Sequence, residues 1–315
     1  MHAIGIDMSK RSFHAAFDRE RVRQFENTEE GVSGFISELE RRDLTKADTR
    51  IGTEATGAYH LFLCARLVKE GWSIVVINPL QASKLLATQS LRKVKTDRKD
   101  ALGIRILVEN GLGYPYADTD ATLALKALVA EREGLVAVRS ILKQQREAHE
   151  AKEHAAGAPL HNSFSPVIQT LGKEIKTIER QFCKHDPETQ ALLRSIPGIG
   201  LVSAASLVAI ICNATRFSSP EKLVAYIGLE PRVHESGTSV KGKGFISKRG
   251  NARLRYILFN AAFVARQHNP ELKQFFEKKL KEGRHYFSAL CAVERKLIHI
   301  IWAVWTRGTP FTTKS

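Results

Sequence analysis

Short apolar runs alternate with amphipathic segments along the first 115 residues. Five runs have the continuous or alternating apolar pattern of strands, at residues 2–7, 12–18, 22–26, 50–53 and 73–77. Apolar residues at helical spacing follow the third, fourth and fifth of these runs. Three strands followed by strand–helix–strand–helix predict an α/β unit, in which helices cover a mixed sheet.

The pattern changes to long helices further along the chain. Apolar residues lie among many charges over residues 122–156, and residues 167–183 again have one apolar helical face. Residues 157–166 are rich in Pro, Ser, His and Asn and predict the turn of an antiparallel helical pair. Such a pair spaces two domains or joins two chains; a solvated pair packed on the core is the alternative. The predicted domains are 1–115, 116–186 and a mainly helical 187–315.

Charge indicates the class of partner. The 315 residues include 48 Lys and Arg against 33 Asp and Glu, a net charge of +15. This excess attracts polyanions, so nucleic acid or an acidic membrane surface is expected. Membrane is disfavoured, because the longest apolar run, residues 201–212, is shorter than the ~20 residues of a spanning helix. No signal peptide is predicted, and four dispersed cysteines are typical of a reducing compartment. We therefore expect a cytoplasmic protein that binds nucleic acid.

Four carboxylates lie where a folded sheet can bring them together. Asp7 ends the first strand, and Glu54 ends or directly follows the strand at residues 50–53. Asp97 and Asp100 are three residues apart in a predicted helix, so both lie on one face of it. Such carboxylates repel one another unless a cation binds. Oxygen ligands select Mg²⁺, with Mn²⁺ as the other candidate, and a pair of such ions supports phosphodiester chemistry.

Each carboxylate also has a structural interpretation. Asp7 is suited to start a turn, Glu54 to lie in a solvated loop and Asp97 to cap a helix. Basic residues flank the aspartate pair and suit either a DNA backbone or a solvated helix face: Arg92, Lys93, Lys95, Arg98 and Lys99. Residues 4–7 also occur in the first phosphate loop of actin-like ATPases, but Ser9 replaces the glycine of that loop, so no nucleotide cofactor is predicted.

A glycine-rich turn, Ile-Pro-Gly-Ile-Gly at residues 196–200, separates two helical stretches. It resembles a helix-hairpin-helix turn, whose backbone N–H groups bind phosphate without reading sequence. Gly198 and Gly200 are therefore predicted to contact nucleic acid. A simple tight turn between packed helices is the alternative.

A loop of small polar residues and a basic segment follow. Residues 240–256 contain no acidic side chain, and their basic residues are Lys241, Lys243, Lys248, Arg249, Arg253 and Arg255. A hydroxyl in this region is suited to attack a bound phosphate. Residue chemistry alone does not distinguish Ser236, Thr238, Ser239 and Ser247, and all four are also typical turn residues. Nucleic-acid contacts are predicted at Lys95, Lys241, Lys243, Lys248, Arg249 and Arg253.

Motifs in both halves of the chain resemble those of one transposase family. In the first half they are residues 4–7 (IGID), 54–57 (EATG), 76–79 (VINP) and 95–101 (KTDRKDA). In the second half they are residues 195–200 (SIPGIG), 228–231 (GLEP), 235–237 (ESG) and 247–255 (SKRGNARLR). In order and identity they resemble the DEDD transposases of the insertion-sequence one-ten family, which also contains the Piv site-specific DNA invertase. The resemblance extends over nearly the whole chain.

This resemblance implies a fold and a mechanism. The fold is a RuvC-like, ribonuclease-H-type domain, an antiparallel coiled-coil spacer and a helical transposase domain. The resemblance assigns Asp7, Glu54, Asp97 and Asp100 to a Mg²⁺ site and makes Ser236 the nucleophile of a phosphoserine intermediate. It further implies donor and target double-stranded DNA, a noncoding bridge RNA that pairs with them, and dimers that assemble into tetramers.

Other functions remain open at this stage. An invertase acting at fixed sites has the same motifs as a transposase, and only flanking DNA distinguishes the two. A junction nuclease would use the carboxylates with water and leave the serine idle. A nucleic-acid-binding scaffold with structural carboxylates belongs to a different class, and the complete set of motifs argues against it.

Overall fold

The computed structural model describes residues 1–55, 57–79, 82, 96–157, 161–231, 235–236, 240–241 and 246–312. The chain forms two compact units, Met1–Ala117 and Asp118–Ser315. In the described part of the chain, no helix is both long and apolar enough to cross a membrane.

A six-stranded mixed sheet forms the first unit. Its strands are β1 (His2–Met8), β2 (Ser12–Ala16), β3 (Val22–Glu26), β4 (Thr49–Glu54), β5 (Ser73–Ile77) and β6 (Tyr114–Pro115). Their order across the sheet is β3-β2-β1-β4-β5-β6. Strand β1 pairs antiparallel with β2 and parallel with β4, so the predicted mixed sheet is confirmed. The helix predicted after β5 lies largely outside the described residues.

Helices cover both faces of this sheet. They are α1 (Glu29–Arg41), α2 (His60–Lys69) and α3 (Asp97–Glu109). Ile4 and Ile6 of β1 pack in a core with Phe35 of α1 and Leu63 of α2. Ala3 lies in a second core with Ile104, Leu107 and Val108 of α3. Successive strand residues point to opposite faces, so α3 covers the face that carries Ala3, Gly5 and Asp7.

The second unit begins with two long helices, α4 (Asp120–Ala156) and α5 (Phe164–Phe182). A capping box between Thr119 and Thr122 begins α4, and Gly157, with φ of +65°, ends it. Arg132 binds Glu179 at 2.8 Å near one end of the pair. The rings of His149 and Phe164 lie 5.9 Å apart near the other. These contacts confirm the predicted antiparallel pair; a coiled-coil geometry stays a prediction.

The rest of the second unit is mostly helical, as predicted. Its helices are α6 (Pro187–Arg194), α7 (Leu201–Ile211), α8 (Pro220–Ile227), α9 (Ala252–His268), α10 (Pro270–Lys281) and α11 (Tyr286–Arg307). Their core contains fully buried Leu207, Leu258 and Leu297. A short ladder, β7 (Glu235–Ser236) with β8 (Val240–Lys241), lies between α8 and α9 in the chain.

Candidate active site

Strand register places Asp7 beside Glu54. The parallel β1–β4 pairing aligns Gly5 with Gly52 and Ile6 with Thr53. The next residues in each strand are Asp7 and Glu54, both half-buried. Paired residues of adjacent strands share a face and lie about 5 Å apart, so the two carboxylates are neighbours on the face that α3 covers.

Two glycines allow α3 to lie directly on that face. A Cβ at Gly5 would come within 2.2 Å of the Ala101 carbonyl oxygen and of the Arg105 backbone nitrogen, both in α3. A Cβ at Gly52 would come within 2.1 Å of Val108. Only glycine leaves space for so close an approach. The helix is thereby held over the strand ends that carry Asp7 and Glu54.

The first turn of α3 carries the other two carboxylates. Thr96 caps the helix, and its hydroxyl accepts a hydrogen bond from the Lys99 backbone N–H at 3.4 Å. Asp100 is buried, with 8% of its surface exposed, whereas the Asp97 side chain is 63% exposed. Asp97 is therefore accessible to solvent, and Asp100 lies against the sheet.

His14 is a neighbour of this group that the sequence did not indicate. Its Nδ1 atom lies 3.7 Å from Asp97 Oδ2. It is also paired with Asp7 across β1 and β2, so it shares the face of that carboxylate. No sequence motif marks it, because its place depends on an antiparallel pairing seven residues away.

The carboxylates share a face but do not form a ready ligand cluster. Among the described residues, no three His, Cys, Asp or Glu side chains lie close enough together to hold a metal ion. The donor set is nonetheless one of oxygen atoms, which suits a hard divalent cation. The strand register sets the backbone positions of Asp7 and Glu54, and the Asp97 side chain is exposed to solvent.

The basic residues around Asp97 differ in their surroundings. Arg98 donates a hydrogen bond to the Glu20 carbonyl oxygen at 2.6 Å, so it ties α3 to the loop between β2 and β3. Lys99 is exposed. Arg92, Lys93 and Lys95 lie outside the described residues.

The glycine-rich turn joins α6 to α7. Gly198 has φ of +91°, and a Cβ there would lie 2.4 Å from the Ala261 carbonyl oxygen of α9. Its surroundings therefore give Gly198 a packing role. Gly200 is exposed and begins α7 without a side-chain cap. Of the two predicted phosphate contacts, Gly200 has the more accessible backbone.

Ser236 lies on a short two-stranded arm. Pro231 and Ile246 form an isolated bridge at its base, and Ser236 pairs with Val240 in the β7–β8 ladder. The base is closely packed, because a Cβ at Gly228 would lie 2.4 Å from the Gly250 nitrogen.

Arg255 of α9 joins the two sides of this base. Its guanidinium donates to the carbonyl oxygens of Ile227 and Gly250, at 2.9 and 2.8 Å. The two motif segments at residues 228–231 and 247–255 are thus held together beneath the arm that carries Ser236.

Ser247 is unsuited to act as a nucleophile in this structure. It is buried, with 6% of its surface exposed, and its hydroxyl accepts a hydrogen bond from the Arg249 backbone N–H. It is therefore a turn residue. Thr238 and Ser239 lie outside the described residues.

The predicted basic contacts fall into three groups. Lys248 and Arg249 are exposed. Arg253 lies 2.5 Å from Glu133 of α4 in an ion pair; burial raises the pKa of Glu133, and the nearby Arg253 and Arg132 oppose that rise. Lys241 lies in β8, and Lys243 lies outside the described residues.

Comparison with known sequences assigns both units to one class of protein, the transposases. Residues 4–149 match a DEDD transposase family of IS110 elements, and residues 190–277 match the family described as Transposase IS116/IS110/IS902. The chain belongs to the IS116/IS110/IS902 family of transposases, which confirms the resemblance seen in its motifs.

Two curated relatives match over nearly their whole length, and a third matches over about a third of it. The transposase for insertion sequence element IS1328 of Yersinia enterocolitica is 32% identical, over 98% of each chain. The pilin gene-inverting protein of Moraxella lacunata is 27% identical, over 98% of this chain and 97% of its own. A transposase for element IS1111A of Coxiella burnetii is 38% identical over 36% of this chain and 32% of its own.

Proposed function

We propose that this protein is a DNA transposase that cuts and rejoins DNA strands through a covalent phosphoserine intermediate. The observation that carries the proposal is the β1–β4 register, which aligns Ile6 with Thr53 and continues to Asp7 and Glu54, on the sheet face covered by α3, the helix of Asp97 and Asp100. Four carboxylates at one end of a mixed sheet suit phosphodiester chemistry. Family membership and the names of the relatives support action on DNA.

A divalent cation would be held by Asp7, Glu54, Asp97 and Asp100. When bound, Mg²⁺ or Mn²⁺ neutralises charge on the scissile phosphate. The protein would position the carboxylate oxygens through the β1–β4 register and through the close packing of α3 on Gly5 and Gly52. His14 orients Asp97 from the neighbouring strand.

Ser236 is the proposed nucleophile. Its Oγ atom forms a bond to phosphorus, the strand's P–O bond breaks, and the leaving oxygen takes a proton to become a free hydroxyl. The phosphodiester count is unchanged, so rejoining needs no nucleotide cofactor. Support comes from the position of Ser236 on an arm whose base is held by Arg255, and from the burial of Ser247.

The proposed partners are donor and target double-stranded DNA and a noncoding bridge RNA. A net charge of +15 suits binding to the phosphate backbones of both. Of the predicted contacts whose exposure is described, Gly200, Lys248 and Arg249 are exposed. We further propose that the α4–α5 pair joins chains into dimers that assemble into tetramers. Exposed Val138, Ile141 and Val167 on these helices support that role.

Inversion at fixed sites is the second candidate function. It is favoured by the similarity to the pilin gene-inverting protein over nearly the whole chain. A plasmid carrying two sites in inverted orientation distinguishes the two reactions: an invertase reverses the intervening segment, and a transposase joins element ends to a separate target.

A trapping assay tests the chemistry. Labelled junction DNA of the element is incubated with its flanking noncoding RNA and Mg²⁺, and products are separated on a denaturing gel. We expect a covalent protein–DNA band for the unaltered chain and for Ser247→Ala, and no band for Ser236→Ala or Asp7→Asn. DNA cut by Ser236→Ala without an adduct would refute the serine mechanism. A band formed without the RNA would refute RNA guidance alone.

A further inference from the structure

A basic groove lies between α10 and α11, away in sequence from every motif discussed above. Its volume is about 410 Å³. Five of its lining residues are cationic or can become so, and one is aromatic: Lys279, Arg284, Arg295, Lys296, His299 and Phe275. No acidic side chain is among the described residues that line it.

Two lysines of the groove lie close to the same aromatic ring. The Lys279 and Lys296 ammonium groups lie 5.4 and 4.9 Å from the centre of the Phe275 ring. The ring face stabilises each cation, but it does not cancel the repulsion between them. An anion bound between the two helices would.

Acidic neighbours offset only part of this charge. Lys279 contacts Glu282 at 2.7 Å, and His299 lies 4.0 Å from Glu221. The pKa of Glu282 is lowered by the hydrogen bond from Lys279, with further contributions from Lys278 and Arg284. The lining of the groove therefore keeps a net positive charge, and Arg284, Arg295 and Lys296 make no ion pair in the described part of the chain.

The lining also indicates what kind of anion fits. Cations project from both helices along the groove, which suits a chain of phosphates better than a single small anion. Among the described residues, the lining contains no Asn, Gln, Asp or Glu, the side chains that read adenine and cytosine edges. Its Arg and Lys side chains bind phosphates in any sequence and can read only guanine among the bases, so recognition here would depend mainly on the backbone.

We propose that the α10–α11 groove is a second binding site for the phosphodiester backbone of a nucleic-acid strand. Its lining residues, 275–299, lie outside the sequence segments that contain Ser236, the four carboxylates and the basic residues 240–256. The inference rests on the proposed function only in taking nucleic acid as the partner. It places a backbone contact on a surface that no sequence motif marks.

Salt dependence of binding tests this site. The test variant is Lys279→Gln with Lys296→Gln. The control is Lys278→Gln with Lys281→Gln, which removes the same charge from α10 at a neighbouring surface that includes Glu277 and Glu282. All chains also carry Ser236→Ala and are kept in EDTA, so that binding is measured without cleavage. Probes are a single-stranded RNA and a duplex DNA, each titrated over a range of salt concentrations.

The slope of log affinity against log salt counts phosphate contacts. Loss of two contacts lowers it by about 1.8 for duplex DNA or about 1.4 for a single strand. We expect that loss, with at least tenfold weaker binding at low salt, for the test variant only. If the slope and the affinity fall for only one probe, that probe shows whether the groove binds RNA or DNA. A test variant that behaves as the control does with both probes overturns the proposal.

A variant with one charge reversed, Lys296→Glu, controls for the possibility that the double variant does not fold. Lys296→Glu leaves Lys279 and its Glu282 contact intact, and its melting temperature is compared with that of the unaltered chain. A folded Lys296→Glu chain with unchanged binding also overturns the proposal. Because no adduct is measured, failure of the serine mechanism leaves this result interpretable.

Discussion

Gly5 and Gly52 are paired across β1 and β4, and both lie directly beneath α3. Neither position leaves space for a Cβ, since the nearest α3 atoms would be 2.2 and 2.1 Å away. At Gly5 those atoms belong to the helix backbone, which has no alternative rotamer. These two glycines therefore set the distance between α3 and the sheet face that carries Asp7 and Glu54.

Gly5→Ala is expected to move α3 away from the sheet. Overpacking of this kind costs about 1–3 kcal/mol, and the shift separates Asp97 and Asp100 from Asp7 and Glu54. We expect a lower free energy of unfolding in urea and weaker Mn²⁺ binding in a calorimetric titration.

Gly34→Ala is the matched control for that change. Gly34 is exposed in α1, and a Cβ there would meet no atom within 4 Å. Alanine in a helix is favoured over glycine by about 0.5–1 kcal/mol, so this variant should be slightly more stable and bind Mn²⁺ normally. Equal behaviour of the two variants would contradict the role given to Gly5.

His14→Gln tests the pairing with Asp97. A group that orients a metal ligand typically contributes about 10–100-fold to metal affinity. His14 is 23% exposed in this pair, so a loss of about tenfold is expected, with little change in melting temperature. His2→Gln, at the exposed start of β1, serves as the control. Unchanged Mn²⁺ affinity in His14→Gln would show that His14 is only a neighbour.

Glu133 restrains Arg253 through their ion pair. If Arg253 contacts nucleic acid as predicted, Glu133→Gln frees its guanidinium for a phosphate. The salt dependence of duplex binding should then steepen by about 0.9, the value for one added contact. Glu131→Gln, an exposed change of equal charge on the same helix, controls for net charge. A similar slope in both variants would argue that Arg253 stays with the protein.

Glu294 makes the second unit less stable as the pH rises from about 4.3 to about 8. It is 3% exposed in α11, and burial raises its pKa to about 8, against the opposing effect of Arg255 and Arg295. The folded chain therefore holds a proton that the unfolded chain releases near pH 4.3. Stability from this group is complete below that pH and is lost as pH rises through about 8.

Glu294→Gln removes this loss. One pKa unit corresponds to about 1.4 kcal/mol, so the variant should unfold at a higher temperature than the unaltered chain at pH 8.5. The difference in unfolding temperature between the variant and the unaltered chain should become smaller as the pH is lowered to 5. Glu271→Gln, an exposed change in α10, should show no such trend. A constant difference across pH would mean that Glu294 is ionised in the folded chain.

The sequence predicted five of the six strands of the first unit's sheet and the candidate carboxylates, because both depend on local signals. Asp7 and Glu54 follow apolar runs, and Asp97 and Asp100 have helical spacing. Which face they share depends on strand pairing between residues far apart in the chain. His14 could not be predicted for the same reason.

Other site assignments depended on three-dimensional packing. Ser247 and Ser236 are equally polar in sequence, and only the folded structure shows that Ser247 is buried. Gly198 has the sequence context of a phosphate-binding turn, yet its missing side chain makes room for α9. The cations of the α10–α11 groove are dispersed over residues 279–299, so no compact motif indicated them.

The parallel pairing of β1 with β4 also restricts how this unit can change in length. A single residue inserted within either strand reverses the faces of every side chain beyond it, which would turn Asp7 or Glu54 towards the core of Ile4 and Phe35. Two inserted residues restore the face. The segments His2–Met8 and Thr49–Glu54 therefore tolerate insertions or deletions only in pairs, whereas the loops that precede and follow them can gain or lose residues singly.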